Sequence, residues 1–284
     1  MGKEQTLRTK LQEARKYLSD HIGSFQPQIL LVLGSGLSHV AEQVENSIIV
    51  PLASVPHMYE PSLKEQRGQF IFGTLGGKNL IAMQGRLHAY EGYTAQDIAF
   101  PVWLAHELGA RVLVSTNAAG AIDTRLSPGD FCVVSDHINL TGHNPIAGAQ
   151  TQELVPRFFS MEGAYDTALR KTALQAAAET GIYAQEGVYL STLGPSFETP
   201  AEIRAFAQLG ASTVAMSMCE EVIAARQMDM RVLGLNLIVN HAAGLAPADP
   251  NSERNLEEAV APFFTRMEQN GTKLITGIIA ALEL

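Results

Sequence analysis

The sequence predicts an α/β fold layered around a largely buried, mixed β-sheet, and three observations carry that prediction. Short apolar runs bounded by glycine or polar residues recur along the chain and read as buried strands. Segments with helical spacing of apolar residues separate many of them, the alternation expected of α/β architecture. Two strand-like runs, 69–72 and 79–83, face each other across Gly76-Gly77 as a hairpin, so the sheet contains antiparallel pairs as well.

The 284 residues are read as a single domain, 1–284, whose first segment, 1–25, is a helix. Leu7, Leu11, Ala14, Leu18 and Ile22 fall on one face of that helix, ready to pack on the body. Gly2 and Thr6 also match an acylation pattern, which the helical spacing displaces. The expected strands are 28–33, 69–72, 79–83, 111–115, 131–135, 187–191, 213–216 and 231–239. The expected helices are 38–44, 95–108, 165–180, 200–209, 220–226 and 256–283. Polar loops at 141–155 and 243–252 are long enough to serve as binding segments.

Composition narrows the function. Hydrophobic residues make up 46% and charged residues 17%, and 20 basic against 29 acidic side chains give a net charge of −9. Such a surface is a poor match for nucleic acid or an anionic membrane, which need clustered Lys and Arg. The chain is also too apolar to be disordered. No run reaches 18 apolar residues and the first residues form no apolar leader, so a cytoplasmic protein is expected. Cys132 and Cys219 match no redox or metal spacing; two buried thiols are the preferred reading, with one disulfide left open. No metal motif is present, and none is expected.

Several segments carry chemistry. Residues 33–38, Leu-Gly-Ser-Gly-Leu-Ser, form a glycine-rich turn from strand to helix, either a tight turn or an anion-binding N-terminus. In 84–93, Arg86, His88 and Tyr90 alternate and would share one side of an extended segment, a set suited to an oxyanion beside a hydroxylated ligand. Thr-Asn-Ala-Ala-Gly-Ala at 116–121 follows a buried strand with small residues that permit close approach of a ligand. Gly-Pro-Ser-Phe-Glu-Thr at 194–199 sets an aromatic ring beside a carboxylate, the chemistry of a purine site. Asn240 closes the last apolar run with a donor and an acceptor. Asp136-His137 is read as a hydrogen-bonded core pair rather than part of a catalytic triad.

Together these stretches resemble the trimeric purine nucleoside phosphorylase family. The turn at 33–38, QGRxHxYEGY, TNAAG, DHINL at 136–140, RFF…AYD at 157–166, GPSFET and MS…EVIAAR at 216–226 occur in that family's order, over Gln28 to Arg226 and more weakly to the last helix. The resemblance implies a partly barrel-like sheet and reversible phosphorolysis of purine ribonucleosides to free base and ribose 1-phosphate. It implies no cofactor, inorganic phosphate being a co-substrate. Phosphate would lie against Ser35, Gln66, Arg86, His88, Ala118 and Ser217. Ala118, Phe197, Glu198, Val214, Met216 and Asn240 would hold the base, and Tyr90 and Met216 the ribose. Phe158 would reach the ribose site of a neighbouring subunit in a homotrimer. Asn240, Glu198 and His88 would carry catalysis, and Glu198 with Asn240 favours 6-oxopurines such as those of inosine and guanosine.

Three positions depart from the family pattern. Gln66 stands where a His is usual near phosphate, Val239 where Thr usually precedes Asn240, and Leu256 where a His often meets the ribose 5′-hydroxyl, with His241 a candidate substitute. These departures leave open a nucleoside-binding homologue of weak or altered activity, or a phosphorylase for an unusual purine or 5′-modified nucleoside.

Overall fold

The computed structural model describes residues 6–62, 66–148, 157–245 and 256–284, with side chains of the last helix described from Thr265 onward. Gly2, the later part of the 141–155 loop, most of the 243–252 loop and the side chain of Leu256 lie outside the described residues.

The N-terminal helix α1 spans Leu7–Ile22, and its five predicted apolar residues are all buried. Thr6 is its N-cap, accepting a hydrogen bond from the Thr9 amide at 3.3 Å, a role that satisfies an otherwise orphaned donor. Strands β1 (Ile29–Leu33), β2 (Glu45–Pro51), β3 (Gln69–Leu75), β4 (Lys78–Gln84) and β5 (Val112–Ala121) follow, with α2 (Ala95–Glu107) between the last two. Then come β6 (Phe131–Asn139), α3 (Thr167–Thr180), β7 (Ala184–Ser191), α4 (Pro200–Gln208), β8 (Thr213–Ala215), α5 (Cys219–Gln227), β9 (Arg231–His241) and α6 (Leu256–Ala281).

Among the described residues, nine strands form one sheet in the order β2-β3-β4-β1-β5-β8-β7-β6-β9, and β9 pairs back onto β5. Strands β5, β8, β7, β6 and β9 therefore close into a five-stranded barrel, from which β1, β4, β3 and β2 extend as an open flap. The barrel is mixed: β5 runs parallel to β9, whereas β6 meets β9 antiparallel. The predicted hairpin is present, its Gly76-Gly77 turn adopting positive φ at both positions as a two-residue type I′ turn requires.

Helices cover both faces of the sheet. Trp103 of α2 lies in a core that α1, α2 and α5 share, and its indole N–H donates to Gln227 Oε1 at 3.0 Å. On the other face, α3 and α6 pack on the apolar side chains of β1, β6 and β9. Sheet strands buried on both sides explain why they read as continuous apolar runs rather than alternating ones.

The differences from the predicted elements have physical causes. Strand β2 is an edge strand whose residues, Val50 excepted, are solvent-exposed, so it carries no burial pattern to read. Residues Ser38–Gln43 form a 3₁₀ helix rather than an α-helix, and the helix expected from 165 starts at Thr167 because Asp166 is its N-cap and Tyr165 is buried. Strand β5 continues through the Thr-Asn-Ala-Ala-Gly stretch to Ala121, and β9 runs through Asn240 to His241, because the two strands hold each other in parallel register. Asp136 is exposed, and His137 Nδ1 meets the Tyr165 hydroxyl at 2.9 Å instead of an aspartate.

Close approach of β1 and β5 depends on Gly34. A Cβ there would lie 2.6 Å from the Thr116 carbonyl oxygen and 2.7 Å from Asn117 Cα, both backbone atoms that cannot swing aside. Gly34→Ala is therefore expected to destabilise the protein by about 1–3 kcal/mol. Denaturant unfolding checks this, and an unchanged midpoint would show that the two strands can separate freely.

Candidate active site

A turn at Gly85, with φ of 100°, lifts the chain out of β4 and drops the Arg86 guanidinium between β5 and the start of α5. Arg86 is 2% exposed. Its Nη2 donates to the Thr116 carbonyl at 2.6 Å and its Nη1 to Ser217 Oγ at 3.1 Å. Its Nε lies 3.3 Å from Glu221 Oε1, an ion pair without hydrogen-bond alignment. Glu221 is 1% exposed and also accepts from Ser115 Oγ at 2.5 Å. Burial pushes its carboxyl up, against the pull of Arg86 and Ser115. A buried charge without such a partner would be costly, so Glu221 is the counter-ion that lets Arg86 sit here.

His88 is buried beside Arg86. It is the N-cap of a short 3₁₀ helix, Ala89–Glu91, so 84–93 is not the extended segment predicted. Arg86, His88 and Tyr90 still converge: the His88 and Tyr90 rings stack at 4.7 Å with an interplanar angle of 16°. His88 Nδ1 lies 2.9 Å from Glu91 Oε1, which also takes the His88 amide proton. Burial and the Arg86 charge lower the His88 pKa to about 4, against the opposing effect of Glu91. At neutral pH the ring is uncharged, with Nδ1–H donated to Glu91 and Nε2 left as an acceptor. Burial first, then the Glu91 charge, pushes the Tyr90 phenol up to about 12, so it remains a neutral donor.

The remaining predicted residues sit along the same rim. Pairing of β1 with β5 ends at Ser115, and β8 pairs with β5 only at Gly120 and Ala121. Between them, near the half-buried Ala118, the edge of β5 has no strand partner among the described residues. Ser35 is exposed just past β1, where the glycine-rich stretch leads into a 3₁₀ helix rather than an α-helix. Gln66 is half-buried, and its Oε1 accepts from the Arg86 amide.

Base-side residues assemble from three barrel strands. A Cβ on Gly120 would meet the Asn240 side chain at 3.5 Å and Val214 at 3.6 Å, so these three positions are in contact. Asn240 Nδ2 donates to the His241 carbonyl at 2.8 Å, and Glu198 Oε1 accepts from Thr192 Oγ1 at 2.8 Å. Thr192 in turn bonds the Ala215 carbonyl through its amide, next to Met216. Met216 packs against Gly194, while Phe197 is exposed on the loop beside it. Val239 is half-buried and packs against the core cluster that β1, β6 and β9 share with α3 and α6.

Phe158 is the residue the fold does not bring to this rim. It is 89% exposed and lines a separate cavity of about 350 Å³ with His137, Asn139, Ile146 and Phe159. Glu91, Glu221, Ser115 and Asn117 are the groups that sequence reasoning missed. Two signals were available: Glu91 stands three residues after His88, the spacing of a capping box, and Glu221 is a carboxylate inside an apolar helix, which demands a partner.

Residues 28–280 match the profile of the phosphorylase superfamily. Over 279 residues the chain is 37% identical to purine nucleoside phosphorylase 1 of Bacillus subtilis, covering 98% of this chain and all of that one. The chain belongs to the purine nucleoside phosphorylase family. Another member, purine nucleoside phosphorylase 1 of Geobacillus stearothermophilus, is 41% identical over 84% of this chain and 86% of its own. The fold is likewise that of a purine nucleoside phosphorylase. The Schistosoma mansoni phosphorylase crystallised with inosine superposes with a TM-score of 0.88 at 31% identity, over 97% of both chains.

The electrostatics of His88 can be measured directly. Its ring is expected to titrate near pH 4 by NMR, and Glu91→Gln to lower that midpoint further by removing the group that favours the charged ring. The unfolded ring binds its proton at higher pH than the folded one, so this group's contribution to stability falls as pH drops from about 6.5 toward 4. A His88 midpoint near 6.5 would show that the ring is open to water.

Proposed function

We propose that the chain catalyses the reversible phosphorolysis of purine ribonucleosides, with 6-oxopurines preferred and inorganic phosphate as the attacking group. The observation that carries this reading is the Arg86 guanidinium, fixed on Ser217 and the β5 backbone beside a neutral His88. Phosphate would lie over Ser35, Arg86, His88, Ser217 and the free β5 edge at Ala118, with the Gln66 amide as a further donor. A neutral His88 Nε2 can take a hydrogen bond from a protonated phosphate oxygen, while Glu91 holds the ring.

Tyr90 and Met216 would flank the ribose. Ala118, Phe197, Val214, Met216, Glu198 and Asn240 would enclose the base. In the forward direction the C1′–N9 bond breaks with its electron pair going to the purine, and a phosphate oxygen bonds to C1′. The transition state is oxocarbenium-like, with the phosphate charge beneath C1′ stabilising it. Asn240 and Glu198 stabilise the charge gathering on the purine with hydrogen bonds that strengthen as it builds. Glu198 accepts from a ring N–H and Asn240 can donate to the 6-oxo group, a pairing suited to hypoxanthine and guanine.

A homotrimer is supported by Phe158, whose exposed ring is costly in water and would be stabilised by covering a neighbouring subunit's site. A reducing cytoplasmic setting accords with the free, buried thiols of Cys132 and Cys219.

Purified protein is expected to release hypoxanthine from inosine only when phosphate is supplied, and Glu198→Ala to lower kcat/KM on the order of a hundredfold. Equal release without phosphate would make the chain a hydrolase. Binding without release would make it a nucleoside-binding homologue.

A further inference from the structure

A chain of buried, uncharged hydrogen bonds crosses the barrel beneath Ser217. Thr213 Oγ1 on β8 donates to Asn236 Oδ1 on β9 at 2.7 Å. Asn236 Nδ2 donates to Asn117 Oδ1 on β5 at 2.6 Å, and Asn117 Nδ2 reaches Ser217 Oγ at 3.4 Å. Thr213 and Asn236 are fully buried and Asn117 nearly so. The Tyr189 hydroxyl donates to the Ser217 carbonyl, pinning the backbone at the same point.

The direction of this chain has a chemical consequence. Each asparagine presents its carbonyl to one neighbour and its amide to the next, so the whole row shares one polarity. At the far end Arg86 Nη1 also donates to Ser217 Oγ at 3.1 Å, and a guanidinium has no acceptor with which to reverse that bond. Ser217 Oγ thus accepts two hydrogen bonds and has both lone pairs engaged. Its one remaining capacity is to donate its proton outward, into the pocket.

We propose that Asn117 and Asn236 are positioning residues that act through Ser217, holding its hydroxyl as an obligate donor to the bound anion. An unconstrained serine turns between donor and acceptor, and an acceptor facing phosphate repels it. The relay removes that second state before phosphate arrives, which is preorganisation of a donor rather than a new contact. The inference rests on phosphate being the anion at Ser217.

Steady-state kinetics on Ser217→Ala, Asn117→Leu, Thr213→Val and the Asn117→Leu/Ser217→Ala pair test it. Ser217→Ala and Asn117→Leu are each expected to raise the phosphate KM by about threefold to tenfold, the range of one hydrogen bond. The nucleoside KM should stay within about twofold. Thr213→Val, a milder change at the remote end, should move the phosphate KM in the same direction, and it remains informative if Asn117→Leu does not fold. In the Ser217→Ala background, Asn117→Leu should add nothing, since the hydroxyl it orients is gone. Equal effects of Asn117→Leu with and without the hydroxyl would reduce the asparagines to a structural role and overturn the relay. So would a phosphate KM that responds to Ser217→Ala but to neither Asn117→Leu nor Thr213→Val. If Ser217→Ala itself leaves the phosphate KM unchanged, phosphate binds elsewhere and the reading of the site falls first.

Discussion

Burial of one positive charge organises this protein's site. The Arg86 guanidinium is out of water, and in a low-dielectric interior it needs an anion and acceptors for its N–H groups. Glu221 provides the anion from α5, Thr116 provides a backbone carbonyl from β5, and Ser217 provides a hydroxyl from the turn after β8. Satisfying Arg86 therefore draws together three segments far apart in the chain. His88, two residues away, inherits its depressed pKa from the same burial and the same charge. A cation that is pre-placed and already hydrogen-bonded offers an incoming anion attraction without reorganisation, which is how electrostatic catalysis works.

The barrel makes that arrangement possible. Closing β5, β8, β7, β6 and β9 into a ring brings 117, 213, 236 and 240 within reach across its interior and mouth. The pairing of β5 changes partner along its length, from β1 to β8, and the gap leaves a stretch of backbone open at Ala118. Strand pairing and site are thus one feature. The buried Thr213–Asn236–Asn117 row runs through a region where an unpaired polar group would be costly, and every bond in it is made.

Much of this was legible in the residue order. The apolar runs located eight of the nine described strands, because strands covered on both faces leave an unmistakable apolar signature. Edge strand β2 left none, since its side chains face water. Strand ends were misplaced at Ser115 and Val239 for a different reason. Small and polar residues look like loop, yet at 116–121 and at Asn240 the ladder between β5 and β9 carries them onward. Arg86, His88, Tyr90, Glu198 and Asn240 stood out by type and spacing, whereas Glu91, Glu221 and Asn117 did not, because their partners come from elsewhere in the fold.

By itself, then, the sequence determined the layered α/β class, the apolar faces of the helices, the family and the chemical groups available for a purine and an anion. These are properties of residue type and local period. Only the tertiary structure decided that the sheet closes on itself through β5 and β9, that Asn240 meets Gly120 and Val214 across three strands, and that Phe158 stands away from its own chain's site. It alone decided the protonation of His88 and the identity of the Arg86 counter-ion. Charge state and hydrogen-bond polarity depend on distances between segments remote in sequence, and burial is a property of the assembled core rather than of any residue in it.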